Sequence, residues 1–232
     1  MVSKCIDMNI LDRFKQIIDK ATYPFILEFG VCDGWHSDKM IEKLKQTQKP
    51  FIYHGFEPNK DLHPQIMDKL KGHLFFNPGL ISVFPNAIGM FDEELTFYKS
   101  GGQLVVKGKV KDNYYGSSSI RVPKNVKQSY PSMTFTEEKV FVKSLDTHIR
   151  QQKLEGFPID FIWADVQGAE GDLIRGGENT FKNVKYFYTE YDNGESYQGQ
   201  ENLQGILELL PDFEIVEDYG GDVLLRNKTF EI

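Results

Sequence analysis

Apolar residues recur along this chain in two rhythms, and the alternation between them sets the fold. Ile10, Leu11, Phe14, Ile17 and Ile18 fall on one face of a 3.6-residue helix, predicted over residues 7–21. Tyr23-Pro24 closes it, because the residue before a proline is driven away from the α region. Phe25 to Phe29 is a short apolar run of buried-strand length, interrupted at Glu28. Gly30 and Gly34 break the chain after it. Ser37 is read as an N-cap, with Met40, Ile41 and Leu44 as the apolar stripe of the helix that follows.

The same unit returns downstream. Phe51 to Phe56 reads as a second strand, and residues 60–72 as a helix with Leu62, Ile66, Met67 and Leu70 inward. Leu80 to Phe84 reads as a third strand, and Leu95 to Tyr98 has strand character. Residues 99–137 lose periodicity among glycines (Gly101, Gly102, Gly108, Gly116), serines and prolines. Composition leaves two readings of them: a lid-like insertion covering the acceptor side of a site, with Tyr114, Tyr115 and Tyr130 as aromatic surface, or a floppy insertion. Periodicity resumes with a strand at 139–143 and a helix at 146–153 capped by Ser144 or Asp146. A strand at 159–166, a helix at 168–181 weakened at Gly176-Gly177, a strand at 184–191 and a helix at 199–210 come next. Gly220-Gly221 splits the last two runs into a hairpin. Strands alternating with helices predict an α/β fold with a mostly parallel sheet, ending in an antiparallel pair.

Composition narrows the picture. The 232 residues are 40% hydrophobic and 26% charged, which suits one α/β domain spanning 1–232. A net charge of −7 argues against a general nucleic-acid binder. Only Cys5 and Cys32 are present, so neither a disulfide framework nor a thiolate zinc site is expected. With no bilayer-length apolar stretch and no signal-peptide pattern, the chain is expected to be cytoplasmic, without a membrane partner.

The candidate chemistry gathers at strand ends. The loop after the first strand offers glycines for a tight turn and a helix start for an anionic ligand group. Glu28 is a carboxylate inside an apolar strand, costly unless partnered. Glu57 ends the second strand about 20 residues beyond the loop, where nucleoside-binding α/β folds hold ribose hydroxyls. Asp165 and Glu190 end two later strands and, on adjacent strands, can approach each other. Two close carboxylates raise one proton affinity and make a usable base. Equally, Asp165 can cap the following helix or bind a cofactor amine, and Glu190 can sit in a structural ion pair. The five histidines show no ligand spacing. His36 stands out by lying in the glycine loop.

With its motifs, this order of elements resembles the class I S-adenosylmethionine-dependent methyltransferases, and among them the FkbM family. The resemblance is carried by Leu27-Glu-Phe-Gly-Val-Cys-Asp-Gly34, Phe56-Glu-Pro58 and Asn86-Ala-Ile-Gly89, with Ser144-Leu-Asp146 and Ile159-Asp-Phe-Ile-Trp-Ala-Asp-Val-Gln-Gly-Ala-Glu170 further on. Thr189-Glu-Tyr191 and Asp222-Val-Leu-Leu-Arg-Asn227 complete it. It implies a Rossmann-like, mostly parallel seven-stranded sheet with helices on both faces and an antiparallel terminal hairpin. It also implies methyl transfer from S-adenosylmethionine to an oxygen of a small molecule or glycan.

By motif, Glu28, Gly30, Asp33 and Gly34, with Ser37, serve the methionine side of the cofactor. Glu57 accepts from the ribose hydroxyls, Pro58 and Asn59 flank the adenosine, and Asn86 and Ala87 lie by the adenine. Asp165 meets cofactor and acceptor together, with Glu190 as its catalytic companion. The family more often has an aspartate at the position of Glu28 and an asparagine at that of Cys32. Asp165 with Asp192 and Asn193 resembles the arrangement of the metal-dependent catechol-type methyltransferases. A divalent ion on such oxygen ligands is the less favoured reading. Two other readings stay open on the same frame: a nucleotide- or nucleotide-sugar-binding α/β enzyme, and a methyltransferase-like binding module without turnover.

Overall fold

The computed structural model describes residues 2–73, 79–106 and 109–231. The chain opens with helix α1 (Val2–Lys20), then β1 (Phe25–Phe29), α2 (Trp35–Gln46), β2 (Phe51–Phe56), a 3-10 turn at Lys60–Leu62, α3 (His63–Leu70) and β3 (Gly79–Phe84). A second group follows: β4 (Ala87–Gly89), β5 (Glu93–Val106), β6 (Lys109–Asp112), α4 (Val126–Ser129) and β7 (Met133–Ser144). The chain then runs through α5 (Leu145–Gln151), β8 (Phe161–Ala164), α6 (Glu170–Gly176), α7 (Glu178–Phe181), β9 (Tyr186–Glu190), α8 (Leu203–Leu209), β10 (Phe213–Asp218) and β11 (Asp222–Asn227).

Seven strands form the main sheet in the order β10-β11-β9-β8-β1-β2-β3. β9, β8, β1, β2 and β3 run parallel, and β11 lies antiparallel to both β9 and β10. The central strands are buried along their whole length, which is why they read as continuous apolar runs rather than alternating ones. Side chains alternate between two cores. Phe25, Leu27 and Phe29 of β1 face α5, α6, α7 and α8, whereas Ile26 faces α1, α2 and α3. Helices thus cover both faces of the sheet.

Four strands build a second sheet, in the order β4-β7-β5-β6. β5 and β7 pair antiparallel from Glu93↔Val142 to Gly102↔Met133. This corrects the aperiodic reading of 99–137, since β5 runs on to Val106 and β6 and the start of β7 lie within the segment; Gly108 is outside the described residues. Gly101 and Gly102, which look like breakers, sit inside the ladder, while Gly116 lies in a turn beyond β6. A Cβ on Gly102 would lie 2.6 Å from the carbonyl oxygen of Ser132, so the strands meet there only because it is absent.

Three further details differ from expectation. Met67 is exposed, since the buried face of its helix is spaced by four through Leu62, Ile66 and Leu70. The helix expected from 199 starts at Leu203, where the Asn202 side chain accepts from the amide of Gly205. The helix expected over 168–181 divides at Gly176-Gly177. A Cβ on Gly176 would stand 1.9 Å from the carbonyl oxygen of Gly89, so this glycine lets α6 lie directly on β4, where the two sheets join. Among the described residues, no helix is long and apolar enough to cross a membrane.

Candidate active site

The carboxyl ends of β1, β2 and β8 open into a cleft of about 860 Å³. The chain winds outward from β1 through β2 to β3, then returns to lay β8 on the other side of β1. Parallel α/β sheets bind ligands at such a reversal. Residues 111–116 and 118–120, in and beyond β6, form the opposite wall.

The glycine loop builds the floor. Gly30 has φ +85°, and a Cβ there would lie 2.0 Å from the carbonyl oxygen of Asp165. Glycine is therefore required for the ends of β1 and β8 to approach. The amides of Gly30 and Val31 both donate to the Phe56 carbonyl, at 3.0 and 3.1 Å. Gly34, at φ +77°, is the N-cap of α2 and leaves Ser37 inside the helix. This corrects the capping role expected of Ser37. Its buried hydroxyl instead donates to Glu28 Oε2 at 2.6 Å, and the Tyr53 hydroxyl donates to the same oxygen. Asp33 Oδ1 accepts from the Trp35 amide at 2.9 Å, and its carboxylate pairs with Lys69 at 3.3 Å.

Glu28 is fully buried beneath the cleft and does not line it. Burial pushes its carboxyl up to about 7, and Oε1 has no hydrogen-bond partner among the described residues. Glu57 lines the cleft. Its Oε2 accepts from the Cys32 amide and its Oε1 from the Asn59 amide, both at 2.8 Å. Burial raises it to about 7, and the two amide donors act the other way. A carboxylate oxygen has two acceptor sites, so each oxygen keeps one for a ligand hydroxyl. Pro58, Asn86 and Ala87 line the same cleft; Asn59 is buried beside it, its Oδ1 accepting from the Asp61 amide at 3.1 Å. The ring of His36 packs on Trp163, centroids 4.7 Å apart, at the edge of the cleft.

Asp165 lies across the cleft from Glu57, its amide donating to the Phe29 carbonyl at 2.9 Å. Glu190, at the end of neighbouring β9, comes within reach of the same side chain. Gln167 Nε2 donates to Asp165 Oδ1 at 2.6 Å and to Glu190 Oε2 at 2.5 Å. Burial, with the charges of Asp165, Glu170 and Asp222, holds Glu190 well above the usual carboxylate range. Glu170 is also buried and raised to about 7. It turns back to accept from the Val166 amide at 3.3 Å, closing the loop between β8 and α6. Asp192 is engaged elsewhere, accepting from the Gly194 amide at 2.8 Å and the Ser196 hydroxyl at 2.6 Å. No group of three or more histidine, cysteine, aspartate or glutamate side chains among the described residues is arranged to hold a metal ion.

The structure thus brings Gly30, Asp33, Glu57, Pro58, Asn86, Ala87 and Asp165 to the cleft lining. Glu28, Gly34, Ser37, Asn59 and Glu190 stand behind it. Sequence reasoning missed Gln167 and Tyr197. Gln167 has φ +53°, and the glycine after it was the visible sign of a special turn.

The sheet order, the glycine loop and the acid at the end of β2 define a Rossmann-like α/β protein of the methyltransferase class. The family model described as the methyltransferase FkbM domain matches residues 28–222, and the chain belongs to that family. The chain is 35% identical over 209 residues to the 2-O-methyltransferase NoeI of Sinorhizobium fredii, covering 88% of this chain and 79% of that one. The crystal structure of methyltransferase FkbM from Methylobacillus flagellatus superimposes with a TM-score of 0.51 at 13% identity. The match covers 88% of this chain but 44% of that longer one.

Proposed function

We propose that this methyltransferase takes its methyl group from S-adenosylmethionine and places it on a hydroxyl oxygen of a small molecule or glycan. The carrying observation is Glu57, buried at the end of β2, held by one backbone amide on each oxygen and turned to the cleft opposite Asp165. That is a receptor for two vicinal hydroxyls such as those of a ribose. The cleft supports the cofactor in two further ways. Its lining acids Asp33, Glu57 and Asp165 suit a cationic group, and Glu28 Oε1 and Asn59 Nδ2 are buried polar atoms with spare bonding capacity beside the loop. The relative named a 2-O-methyltransferase favours an oxygen as the acceptor atom.

When bound, the cofactor supplies an electrophilic methyl on a sulfonium. The chain must then hold the cofactor, align an acceptor hydroxyl and take its proton. Glu57 holds the ribose. Gly30, Asp33 and Gly34 shape the methionine side, with Glu28 and Ser37 supporting them from below. Pro58 and Asn59 flank the adenosine, with Asn86 and Ala87 at the base. Asp165 receives the proton, with Glu190 as its partner. In this reading the whole chain acts as one domain, and the 99–137 segment is its acceptor-side cover.

The test is transfer of an isotopically labelled methyl from S-adenosylmethionine to a panel of glycans and small hydroxylated molecules. Asp165→Asn is expected to lose about 100-fold or more in turnover, with affinity for S-adenosylhomocysteine changed by only a few-fold. Full turnover in that variant would remove Asp165 as the base.

A further inference from the structure

We propose that Gln167 is a positioning residue that decides which oxygens of Asp165 and Glu190 handle the acceptor's proton. The inference rests on the reading of Asp165 and Glu190 as the proton-accepting pair. An amide group has two N–H donors, and the two bonds from Nε2, to Asp165 Oδ1 and Glu190 Oε2, use both of them. Those two oxygens are therefore already engaged as acceptors, which favours Asp165 Oδ2 and Glu190 Oε1 as the oxygens that carry a proton.

Turned over, the amide would lose both donor bonds and set its own oxygen against Asp165 Oδ1. As placed, Oε1 lies 3.1 Å from the Tyr197 hydroxyl, whose single hydrogen it shares with the carbonyl oxygen of Ser117 at 2.8 Å, in a residue buried behind the opposite wall of the cleft. Ser117 is tied back in turn, its amide donating to the Ser100 hydroxyl of β5 at 3.1 Å. The backbone fixes the rest. Gln167 sits at φ +53°, an unfavourable region for glutamine that persists only where the surroundings impose it. A Cβ on Gly168 would lie 2.8 Å from the Cβ of Tyr197, so that glycine allows the tyrosine to press on the turn.

The proton path follows. Glu190, whose proton affinity is raised by burial and the neighbouring acids, carries its hydrogen when protonated on Oε1, behind the cleft wall. Asp165 lines the cleft, and Oδ2 is its oxygen that Gln167 leaves unengaged. As the acceptor oxygen forms its bond to the methyl carbon, the carbon–sulfur bond breaks with its electron pair passing to sulfur. The hydroxyl proton then goes to Asp165 Oδ2. Other titratable groups act on the pair from every side: Glu28 from β1, Cys32 from the loop, Glu57 from the end of β2, Glu170 from α6 and Asp222 from β11. Tyr114 acts from the opposite wall, and Tyr197 from the segment after β9.

Nuclear magnetic resonance on the full chain tests this, with 15N-labelled glutamine and 13C-labelled aspartate and glutamate carboxyls. Both side-chain amide protons of Gln167 are expected downfield and to move with the titration of Glu190. In Gln167→Leu the lost donor no longer favours the charged form of Glu190, so its carboxyl midpoint rises by about one pH unit, tenfold in proton affinity. A merely structural glutamine would lower the unfolding temperature and leave that midpoint in place. An unmoved Glu190 midpoint in a Gln167→Leu protein that binds S-adenosylhomocysteine as the parent does would overturn the proposal. If that variant does not fold, the wild-type amide signals decide, and their indifference to the carboxyl titration overturns it equally. The carboxyl and amide signals are read without cofactor. Failure of the parent protein to bind S-adenosylhomocysteine is a separate result, counting against the proposed function alone.

Discussion

The carbonyl oxygen of Asp165 occupies the place next to Gly30 where any other residue would put its β-carbon, at 2.0 Å. Gly30 follows β1 and Asp165 follows β8, so one contact joins the floor of the glycine loop to the acid across the cleft. The glycine serves the packing of two strands first and the ligand second. Gly30→Ala has to push these strand ends apart and also adopt φ near +85°. A loss of at least about 2 kcal/mol in unfolding free energy is expected, measured by urea denaturation, with a parallel loss of cofactor affinity. An unchanged denaturation midpoint would show that the strand ends yield freely.

Glu57→Gln puts an amide N–H₂ where one carboxylate oxygen now accepts from Cys32 or Asn59. Donor then faces donor, and one ligand hydroxyl loses its charged acceptor. Affinity for S-adenosylhomocysteine should fall about 100-fold, on the order of 3 kcal/mol, while the far-ultraviolet circular dichroism stays as in the parent. Equal affinity by calorimetry would remove the ribose assignment.

A buried histidine pair gives the fold an acid-sensitive point away from the cleft. His54 Nδ1 and His148 Nε2 lie 3.1 Å apart, packed against Phe25, Phe56 and Phe84. Burial lowers His54 to about 4 and, with the His54 charge beside it, His148 to about 3. Both rings stay neutral in the folded chain, whereas the unfolded chain binds protons near pH 6.5. Their contribution is complete above about pH 6.5 and is lost as the pH falls through the window down to about 3. Glu28, Glu57 and Glu170, each raised to about 7, work in the opposite sense, stabilising below their unfolded value of 4.5 and losing that as the pH rises through 7. Comparison with a variant isolates the histidines. Relative to a His54→Leu, His148→Leu double variant, the parent should lose on the order of a few kcal/mol between pH 7 and pH 4. A constant difference between the two proteins across that range would contradict this.

The main sheet was readable because its strands are short, continuous apolar runs, and because Gly30, Gly34 and Glu57 mark a turn and an acid at strand ends. What the sequence concealed has particular causes. Gly101 and Gly102 look like breaks, but both lie in a strand, and at Gly102 the partner passes too close for a side chain. Ser37 looks like a cap, but a glycine at φ +77° starts the helix earlier and frees the hydroxyl for Glu28. Gln167 looks like an ordinary turn residue. Its importance comes from two strand ends converging on it, which no linear spacing displays.

The roles given to Glu57 and Asp165 stand on the cleft binding S-adenosylmethionine. Calorimetric titration of the purified chain with S-adenosylmethionine and S-adenosylhomocysteine, with NAD and UDP-glucose as controls, decides this. Saturable one-to-one binding of the two sulfur nucleosides and none of the controls is expected, with the affinity lost in Glu57→Gln. Binding of NAD or UDP-glucose in place of the sulfur nucleosides, or of none of the four, would contradict it.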